Sequence, residues 1–270
     1  MSVAEHLRVK HRATPRGHVA ADGREEGPSI LAPRAGGIAT RAGERIHGHP
    51  VGAFVVVTLI GFVLLAAAAV LTGWLLKTYV LPEQGIGHAD EQVNVWLANH
   101  RNAARTDLSF WLSGIGDVLA IPALVALVTI VALVRRKWRV AAFVLTAIVV
   151  EAATYRVVTL LIHRQRPSVP RLDSLPANTS YYSGHTAASV AVYCGLALLI
   201  TSRIRNTFAR ALCWVVAILI PLLVALSRLY RGMHHPTDVA AGALVGVGCL
   251  IIAVSAARAA RASDLAGDRS

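Results

Sequence analysis

The chain has 270 residues, of which 55% are hydrophobic and only 16% are charged. A mean hydropathy of +0.54 excludes an ordinary soluble domain and indicates a membrane protein. The formal net charge is +12, but Lys and Arg lie beside apolar runs. They therefore predict orientation in a membrane and contact with anionic head groups, and no nucleic-acid partner is expected.

Residues 1–48 are rich in Gly, Ala, Arg and His, and they predict a flexible basic tail. Six apolar runs of roughly bilayer length follow, which predicts an all-α polytopic membrane protein with six transmembrane helices in a bundle over residues 49–260. Residues 261–270 are then a short second tail. The runs lie at 51–78, 109–134, 139–162, 185–202, 208–227 and 237–257. Between the first two runs, residues 90–100 have helical spacing and predict a short helix on the membrane surface.

The basic residues predict the orientation. Lys and Arg are concentrated before the first run, between the second and third, between the fourth and fifth, and after the sixth. These four segments share one side of an even-numbered bundle, so that side and both termini are expected to be cytoplasmic in the plasma membrane. Loops 163–173 and 228–238 then face outward although they also carry Arg and His. Positive residues on the disfavoured side suggest that they bind an anion.

Arginines follow the third run in the sequence His163-Arg164-Gln165-Arg166-Pro167. A planar guanidinium group binds phosphate oxygens in pairs. The alternative is that these side chains only extend from a helix end into the head-group region.

Ser183, Gly184 and His185 precede the fourth run. The glycine allows close approach of the backbone to a ligand, and the serine lies where its hydroxyl and nearby N–H groups meet an anion at a helix start. His185 is a candidate proton donor to a leaving oxygen. An ordinary helix N-cap with an incidental histidine explains the same residues.

Arg228 is followed after five residues by His234, and Asp238 lies four positions further on. This spacing predicts that the Asp238 carboxylate accepts the Nδ1 proton of His234 and leaves Nε2 free as a nucleophile. Two alternatives stay open, a metal site formed by His234, His235 and Asp238, and a helix cap formed by Asp238 and Thr237.

Taken together, the three clusters lie at the outer ends of helices and suit phosphoryl transfer through a phosphohistidine. His234 would attack phosphorus and His185 would protonate the leaving group, while Arg166 and Arg228 stabilise charge on the phosphoryl oxygens. No Cys or carboxylate cluster offers a metal site beside them, so neither a metal nor another cofactor is expected.

The clusters resemble the signature of the type 2 phosphatidic acid phosphatase and haloperoxidase family, in its membrane lipid phosphatase branch. That signature is Lys, six residues, Arg-Pro; then Pro-Ser-Gly-His; then Ser-Arg, five residues, His, three residues, Asp. The third part matches in full, and the first two match at 166–167 and 183–185. The resemblance implies a hydrolase that removes phosphate from phosphatidic acid, phosphatidylglycerol phosphate or polyprenyl diphosphate. It also implies His234 as nucleophile, Asp238 as its partner and His185 as acid.

Two positions depart from the signature. Thr159 stands at the position of the Lys, and Tyr182 stands at the position of the Pro. Loss of the Lys removes one of three positive phosphate ligands, and Arg164 or Arg156 is a possible substitute cation. The alternative function is therefore a catalytically weak or silent relative that binds lipid phosphates. A soluble haloperoxidase disagrees with the six spans, and a transporter disagrees with charges gathered at one face.

Overall fold

The computed structural model describes residues 28–82, 85–174 and 179–268. Every regular element in these ranges is a helix, so the predicted all-α class is confirmed. Six stretches are long and apolar enough to cross a membrane, at the predicted places. Their bounds are Pro50–Val80, Ala103–Val134, Trp138–Leu161, Gly184–Thr201, Thr207–Tyr230 and Pro236–Gly267.

The helices are numbered in chain order. Two short elements precede the spans, a 3-10 turn (Ser29–Leu31) and α1 (Ile38–Arg45). The first span consists of α2 (Pro50–Leu75) and a π turn that extends it (Leu76–Val80). It is followed by α3 (Ile86–Asn99). The second and third spans are α4 (Ala103–Ile115) with α5 (Ala120–Val134), and α6 (Trp138–Leu161). The fourth is α7 (Gly184–Ser189), a π turn (Val190–Cys194) and α8 (Gly195–Thr201); α9 (Thr207–Tyr230) and α10 (Pro236–Gly267) are the fifth and sixth.

Alternating helix directions bring the functional loops together. The connections after α6 and α9, and the starts of α7 and α10, lie at one end of the bundle, here called the site end. The connection between α5 and α6, the one between α8 and α9, the start of α2 and the end of α10 lie at the opposite end. Apolar side chains such as Leu64, Leu222 and Ile251 are more than half exposed, as lipid-facing residues are.

Glycines in α10 allow α7 to approach closely. A β-carbon at Gly242 would lie 2.5 Å from the carbonyl oxygen of Ser183, and one at Gly246 would lie 2.6 Å from that of Ala187. The Ser183 N–H also donates to the Asp238 carbonyl at 3.1 Å. The start of α7 is therefore fixed against the start of α10, which brings two of the predicted clusters together.

The segment before the first span differs from its prediction. Residues 1–27 of the predicted tail lie outside the described residues, but residues 28–48 pack on α10. Leu31 is buried, Arg258 donates from Nε to the Ile30 carbonyl at 3.0 Å, and Gly43 packs against the backbone of Ala259. The helix α10 also continues to Gly267, so most of the predicted second tail extends the last span.

The helix predicted between the first two spans is present as α3. Its inward face, however, packs on the site end of the bundle. Asp90 and Asn94 are buried, and the Asn94 amide donates to the His234 carbonyl at 2.9 Å. The helix therefore supports the connection between α9 and α10.

Candidate active site

The three predicted clusters meet around one pocket of about 390 Å³ at the site end. Arg166, Gly184, His185 and His234 all line it. Its remaining walls come from the break between α4 and α5 and from one face of α6. Residues from three separate connections of the chain therefore share a single concave site.

His234 lies in the short connection between α9 and α10 and is 4% exposed. Its Nδ1 atom is 2.7 Å from the carbonyl oxygen of Ser180. A carbonyl only accepts, so this contact fixes the proton on Nδ1 and leaves Nε2 with a free lone pair. Burial lowers the pKa of His234 to about 3; Asp238 opposes this decrease, and Arg228 adds to it. The ring is thus neutral near pH 7.

The predicted hydrogen bond from His234 Nδ1 to Asp238 is wrong in this structure. Asp238 instead accepts from the His235 N–H at 2.8 Å, from the Ser180 hydroxyl and from Arg164 Nη1 at 2.5 Å. It caps the start of α10, because position N3 of a helix suits a carboxylate that binds back to the N-cap. Ser180, which binds both His234 and Asp238, connects the two residues indirectly.

Arg228 lies in the last turn of α9 and is 2% exposed. Its Nη1 atom donates to the Ser113 hydroxyl and to the Asp173 carboxylate, both at 2.7 Å. Within the described part of the chain, its Nε and Nη2 groups have no hydrogen-bond partner. Buried guanidinium donors without partners are rare and costly, so they indicate a site for an anionic ligand.

Asp173 holds two arginines in place beside the pocket. Besides Arg228, it accepts from Arg231 Nε at 2.8 Å. Burial alone would raise the pKa of Asp173, but the Arg231 hydrogen bond and the charges of both arginines hold it below its usual value. One carboxylate faces two guanidinium groups, so a positive charge remains for an anion.

His185 occupies the first turn of α7, and its Nε2 atom is 3.4 Å from an Asp117 carboxylate oxygen. Gly184 lies against the ring of Tyr155, where a β-carbon would lie 3.0 Å from the ring. Ser183 is fully buried, and its hydroxyl contacts that of Thr186 at 2.9 Å. Gly184 and His185 therefore line the pocket, whereas the Ser183 side chain is turned into the protein.

The same region carries the similarity to known proteins. A sequence model of the PAP2 superfamily matches residues 138–262, which contain all three clusters. The match covers a little under half of the chain, which is similar to the PAP2 superfamily over this region. A decaprenylphosphoryl-5-phosphoribose phosphatase, found in two strains of Mycobacterium tuberculosis, is 34% identical over 132 residues. That match covers 46% of this chain and 64% of the relative, so the chain spans somewhat less than two thirds of the curated relatives it matches.

Two solved membrane-enzyme structures are similar to the chain, and the first of them shares its fold. The transmembrane PAP2-type phosphatidylglycerolphosphate phosphatase of Bacillus subtilis superimposes with a TM-score of 0.58 at 22% identity, covering 76% of this chain and 93% of that one. LpxE of Aquifex aeolicus superimposes with a TM-score of 0.46 at 23% identity, covering 60% and 92%. The first of these likenesses supports the six-helix architecture.

The substitute cations proposed for the PAP2 lysine do not lie free at the pocket. Arg164 is 2.5 Å from Asp90 through Nη2 and 2.5 Å from Asp238 through Nη1, so two carboxylates balance its charge. Arg156 is exposed on the outer face of α6. The Thr159 hydroxyl donates to the Arg156 carbonyl at 3.1 Å. Neither arginine therefore replaces the lysine in this structure.

Sequence reasoning missed three carboxylates that shape the candidate site. Asp90 binds Arg164, Asp117 contacts His185 and Asp173 binds Arg228. Asp117 interrupts an apolar run, and Asp173 follows an arginine-rich loop, so both carried a detectable signal. Asp90 carried none, because its partner lies 74 residues away in sequence.

The metal alternative receives no support from the positions of the side chains. His235 lies between Asp238, 3.2 Å from Nδ1, and Glu91, 3.1 Å from Nε2. Over the described ranges, no group of three or more His, Cys, Asp or Glu side chains is placed to hold a metal ion. The cap alternative for Asp238 is confirmed by its capping box with His235.

Proposed function

We propose that this chain is a lipid phosphatase that works without a metal ion and through a phosphohistidine. The observation that carries the proposal is the pocket itself. Two histidines and Arg166 line it, and the neighbouring Arg228 has two buried donors without partners in the described structure. A phosphate dianion satisfies those donors and places phosphorus between the histidines.

In the first step, the Nε2 lone pair of His234 attacks phosphorus and forms a P–N bond. The P–O bond to the leaving group breaks on the opposite side, and the leaving oxygen takes a proton from His185. Arg166 and Arg228 stabilise the charge on the three remaining phosphoryl oxygens. The Ser180 carbonyl stabilises the positive ring through Nδ1–H.

In the second step, water attacks the phosphohistidine. His185, now neutral, takes a proton from the water, the P–N bond breaks and inorganic phosphate leaves. Asp117, 3.4 Å from His185, favours the protonated ring that donates in the first step and that forms again in the second. We assign Asp238 a positioning role through Ser180 and the cap of α10, rather than direct contact with the nucleophile.

A lipid substrate fits the position of the pocket. Its wall at the break between α4 and α5 includes Val118, whose apolar side chain is 70% exposed and can contact a lipid chain. The PAP2 relatives are named for decaprenylphosphoryl-5-phosphoribose, a lipid phosphate. We therefore propose that the substrate of this chain is a lipid phosphate or diphosphate. The candidates are phosphatidic acid, phosphatidylglycerol phosphate and polyprenyl diphosphate.

The decisive experiment offers these lipids and the ribose lipid to purified protein in detergent with excess chelator, and measures released phosphate. Turnover that His234→Ala abolishes, and an acid-labile, base-stable phosphoryl-enzyme formed from labelled substrate, support the mechanism. Loss of turnover on chelation, with rescue by one metal ion, contradicts it.

We also propose that the site end faces away from the cytoplasm, because basic loops dominate the opposite end. Gln165 and Arg135 are exposed at the two ends. In a background without the three native cysteines, Gln165→Cys should react with an impermeant thiol reagent on intact cells, and Arg135→Cys only after lysis. The reverse pattern would invert the orientation.

A second candidate function is a weak or silent relative that binds lipid phosphates. Thr159 at the lysine position favours it, because Arg164 and Arg156 do not supply the missing charge. A silent protein would bind inorganic phosphate or vanadate, seen as a higher melting temperature, and would release no phosphate from any lipid on the panel.

A further inference from the structure

Glu151 is a buried acidic residue in the third span, and the mechanism above does not use it. It lies near the middle of α6, is 5% exposed, and lines the same pocket as the two histidines. Within the described part of the chain, its carboxyl group has one hydrogen-bond partner, the Tyr182 hydroxyl at 3.5 Å. That distance is at the limit for a hydrogen bond. An acidic group at membrane depth with so weak a partner indicates a functional role.

The depth of Glu151 follows from helix geometry. Tyr155, one turn closer to the site end, packs against Gly184, next to His185. Glu151 precedes Tyr155 by four residues on the same helix face, so it lies about 6 Å deeper along α6. Ile148 and Ala152 continue this pocket wall toward the bilayer. A lipid whose phosphate lies between the histidines therefore extends past Glu151 before its chain reaches the apolar part.

A hydroxyl on the leaving part of the substrate can satisfy the Glu151 carboxyl group fully, because a hydroxyl both donates and accepts hydrogen bonds. A hydroxyl on the second or third carbon from the phosphate oxygen would reach this depth. The glycerol of phosphatidic acid carries esters at those positions and offers no donor. A diphosphate places a second anion there, close to the Asp117 carboxylate, and like charges repel.

We propose that Glu151 forms a leaving-group subsite that binds a hydroxyl of a sugar or polyol head group, so that the preferred substrate is a lipid-linked sugar or polyol phosphate monoester. This inference rests on the proposed function for the position of the phosphate. It deepens that function by separating hydroxyl-bearing monoesters from phosphatidic acid and from polyprenyl diphosphate.

The test compares Glu151→Leu and Glu151→Gln with the wild type on four substrates. Two carry hydroxyls, a polyprenylphosphoryl ribose 5-phosphate and phosphatidylglycerol phosphate, and two do not, phosphatidic acid and polyprenyl diphosphate. Thr154→Val is the matched control, because Thr154 is fully buried one turn away and does not line the pocket. The ribose and glycerol arms show which kind of hydroxyl is bound.

We expect Glu151→Leu to lower kcat/KM about tenfold or more for at least one hydroxyl-bearing substrate, as loss of a hydrogen bond to a buried polar group does. For phosphatidic acid and polyprenyl diphosphate, kcat/KM should change less than threefold or rise. Glu151→Gln should retain part of the preference for the hydroxyl-bearing substrates. Thr154→Val should leave all four values unchanged. An equal decrease for all four substrates, or no decrease, overturns the subsite.

A binding measurement separates failure of this inference from failure of the proposed function. The Kd of the ribose and glycerol phosphate lipids is measured on His234→Ala with and without Glu151→Leu. A tenfold rise in Kd for one of them supports the subsite even if the wild-type protein releases no phosphate. Equal affinities in both backgrounds contradict it even if turnover is observed.

Discussion

Two arginines of the site end, Arg164 and Arg228, have side chains that are 9% and 2% exposed, and their surroundings are opposite. Arg164 binds Asp90 and Asp238, so its positive charge is fully matched. Arg228 shares Asp173 with another arginine, and two of its donor groups have no partner in the described structure. The first arginine stabilises the arrangement of α3, α6 and α10, whereas the second is prepared for a ligand. Residue type alone therefore does not identify a phosphate ligand; the balance of charges around it does.

This comparison predicts the largest effect at Arg228. Arg228→Gln removes a preorganised donor pair that acts on the transferring phosphoryl group, and it should lower kcat on the order of 10²- to 10³-fold. The melting temperature of Arg228→Gln without ligand should equal or exceed that of the wild type, because an incompletely paired buried charge destabilises the ligand-free protein. Turnover and thermal unfolding in detergent, measured on the same preparation, test both parts.

Vanadate binding supplies the control for Arg228. A phosphate mimic should raise the melting temperature of the wild type and of Arg228→Lys, but not of Arg228→Gln, since only a bound ligand adds stability. A lower melting temperature of the Gln variant without ligand would mean that Arg228 is a structural residue like Arg164.

The opposite result is expected at Arg164. Arg164→Gln leaves Asp90 and Asp238 facing each other without a cation, and breaking such a buried pair costs about 3–5 kcal/mol. In a titration with a denaturing detergent, Arg164→Gln should begin to unfold at a clearly lower detergent concentration than the wild type. The fraction that remains folded should retain more activity than Arg228→Gln does. Equal stability of the Arg164 and Arg228 variants would remove the distinction between the two arginines.

The sequence predicted the elements that depend on local patterns. Six apolar runs of bilayer length predicted the spans, and the motif spacing predicted that Arg166, His185 and His234 share a pocket. The partners of these residues depend on long-range packing and were not predictable. The spacing of His234 and Asp238 is compatible with a direct hydrogen bond between the two side chains and also with a helix cap formed by Asp238. Only the position of Ser180, whose carbonyl contacts His234 Nδ1, distinguishes these two arrangements.

Arg164 illustrates the same limit. Its place beside Arg166 favoured a role in phosphate binding, but the buried Asp90 on α3 turns its side chain toward the carboxylates. Nothing in the spacing of Asp90 predicts this pair. Residues 28–48 also lacked apolar periodicity, yet small residues such as Gly43 let α1 pack on α10. Contacts with distant helices, rather than local propensity, determine these features.

His234 lies within the electrostatic influence of Arg228 and Arg166, and its titration tests the charge balance around it. Its folded pKa of about 3 is below the unfolded value, and burial is the main cause. Between about pH 6.5 and pH 3 the unfolded chain takes up a proton that the folded protein does not, so His234 lowers stability as the pH falls through this range. In histidine-labelled protein, the resonance that is lost in His234→Ala should not titrate between about pH 5 and pH 8, the range in which an ordinary histidine changes charge. A midpoint near the ordinary histidine value would contradict a buried, neutral ring.

The smallest expected effect concerns Thr159, the position of the PAP2 lysine. Thr159 is one turn beyond Tyr155 on α6, and its hydroxyl binds the backbone of its own helix. Because Arg164 is already paired with two carboxylates, a cation added at this position is not redundant. Thr159→Lys should therefore raise kcat/KM several-fold on a lipid phosphate, with part of the gain offset by the cost of placing an ammonium group near the bilayer.

Alanine at Arg156 provides the matched control for this substitution. Arg156 is exposed on the outer face of the same helix, so Arg156→Ala should change kcat/KM less than twofold, both alone and combined with Thr159→Lys. A decrease with Thr159→Lys would mean that the pocket already holds enough positive charge. If Arg156→Ala alone reduced turnover as strongly as Arg228→Gln, Arg156 would be the missing cation, and its side chain would have to turn around α6 when the lipid binds.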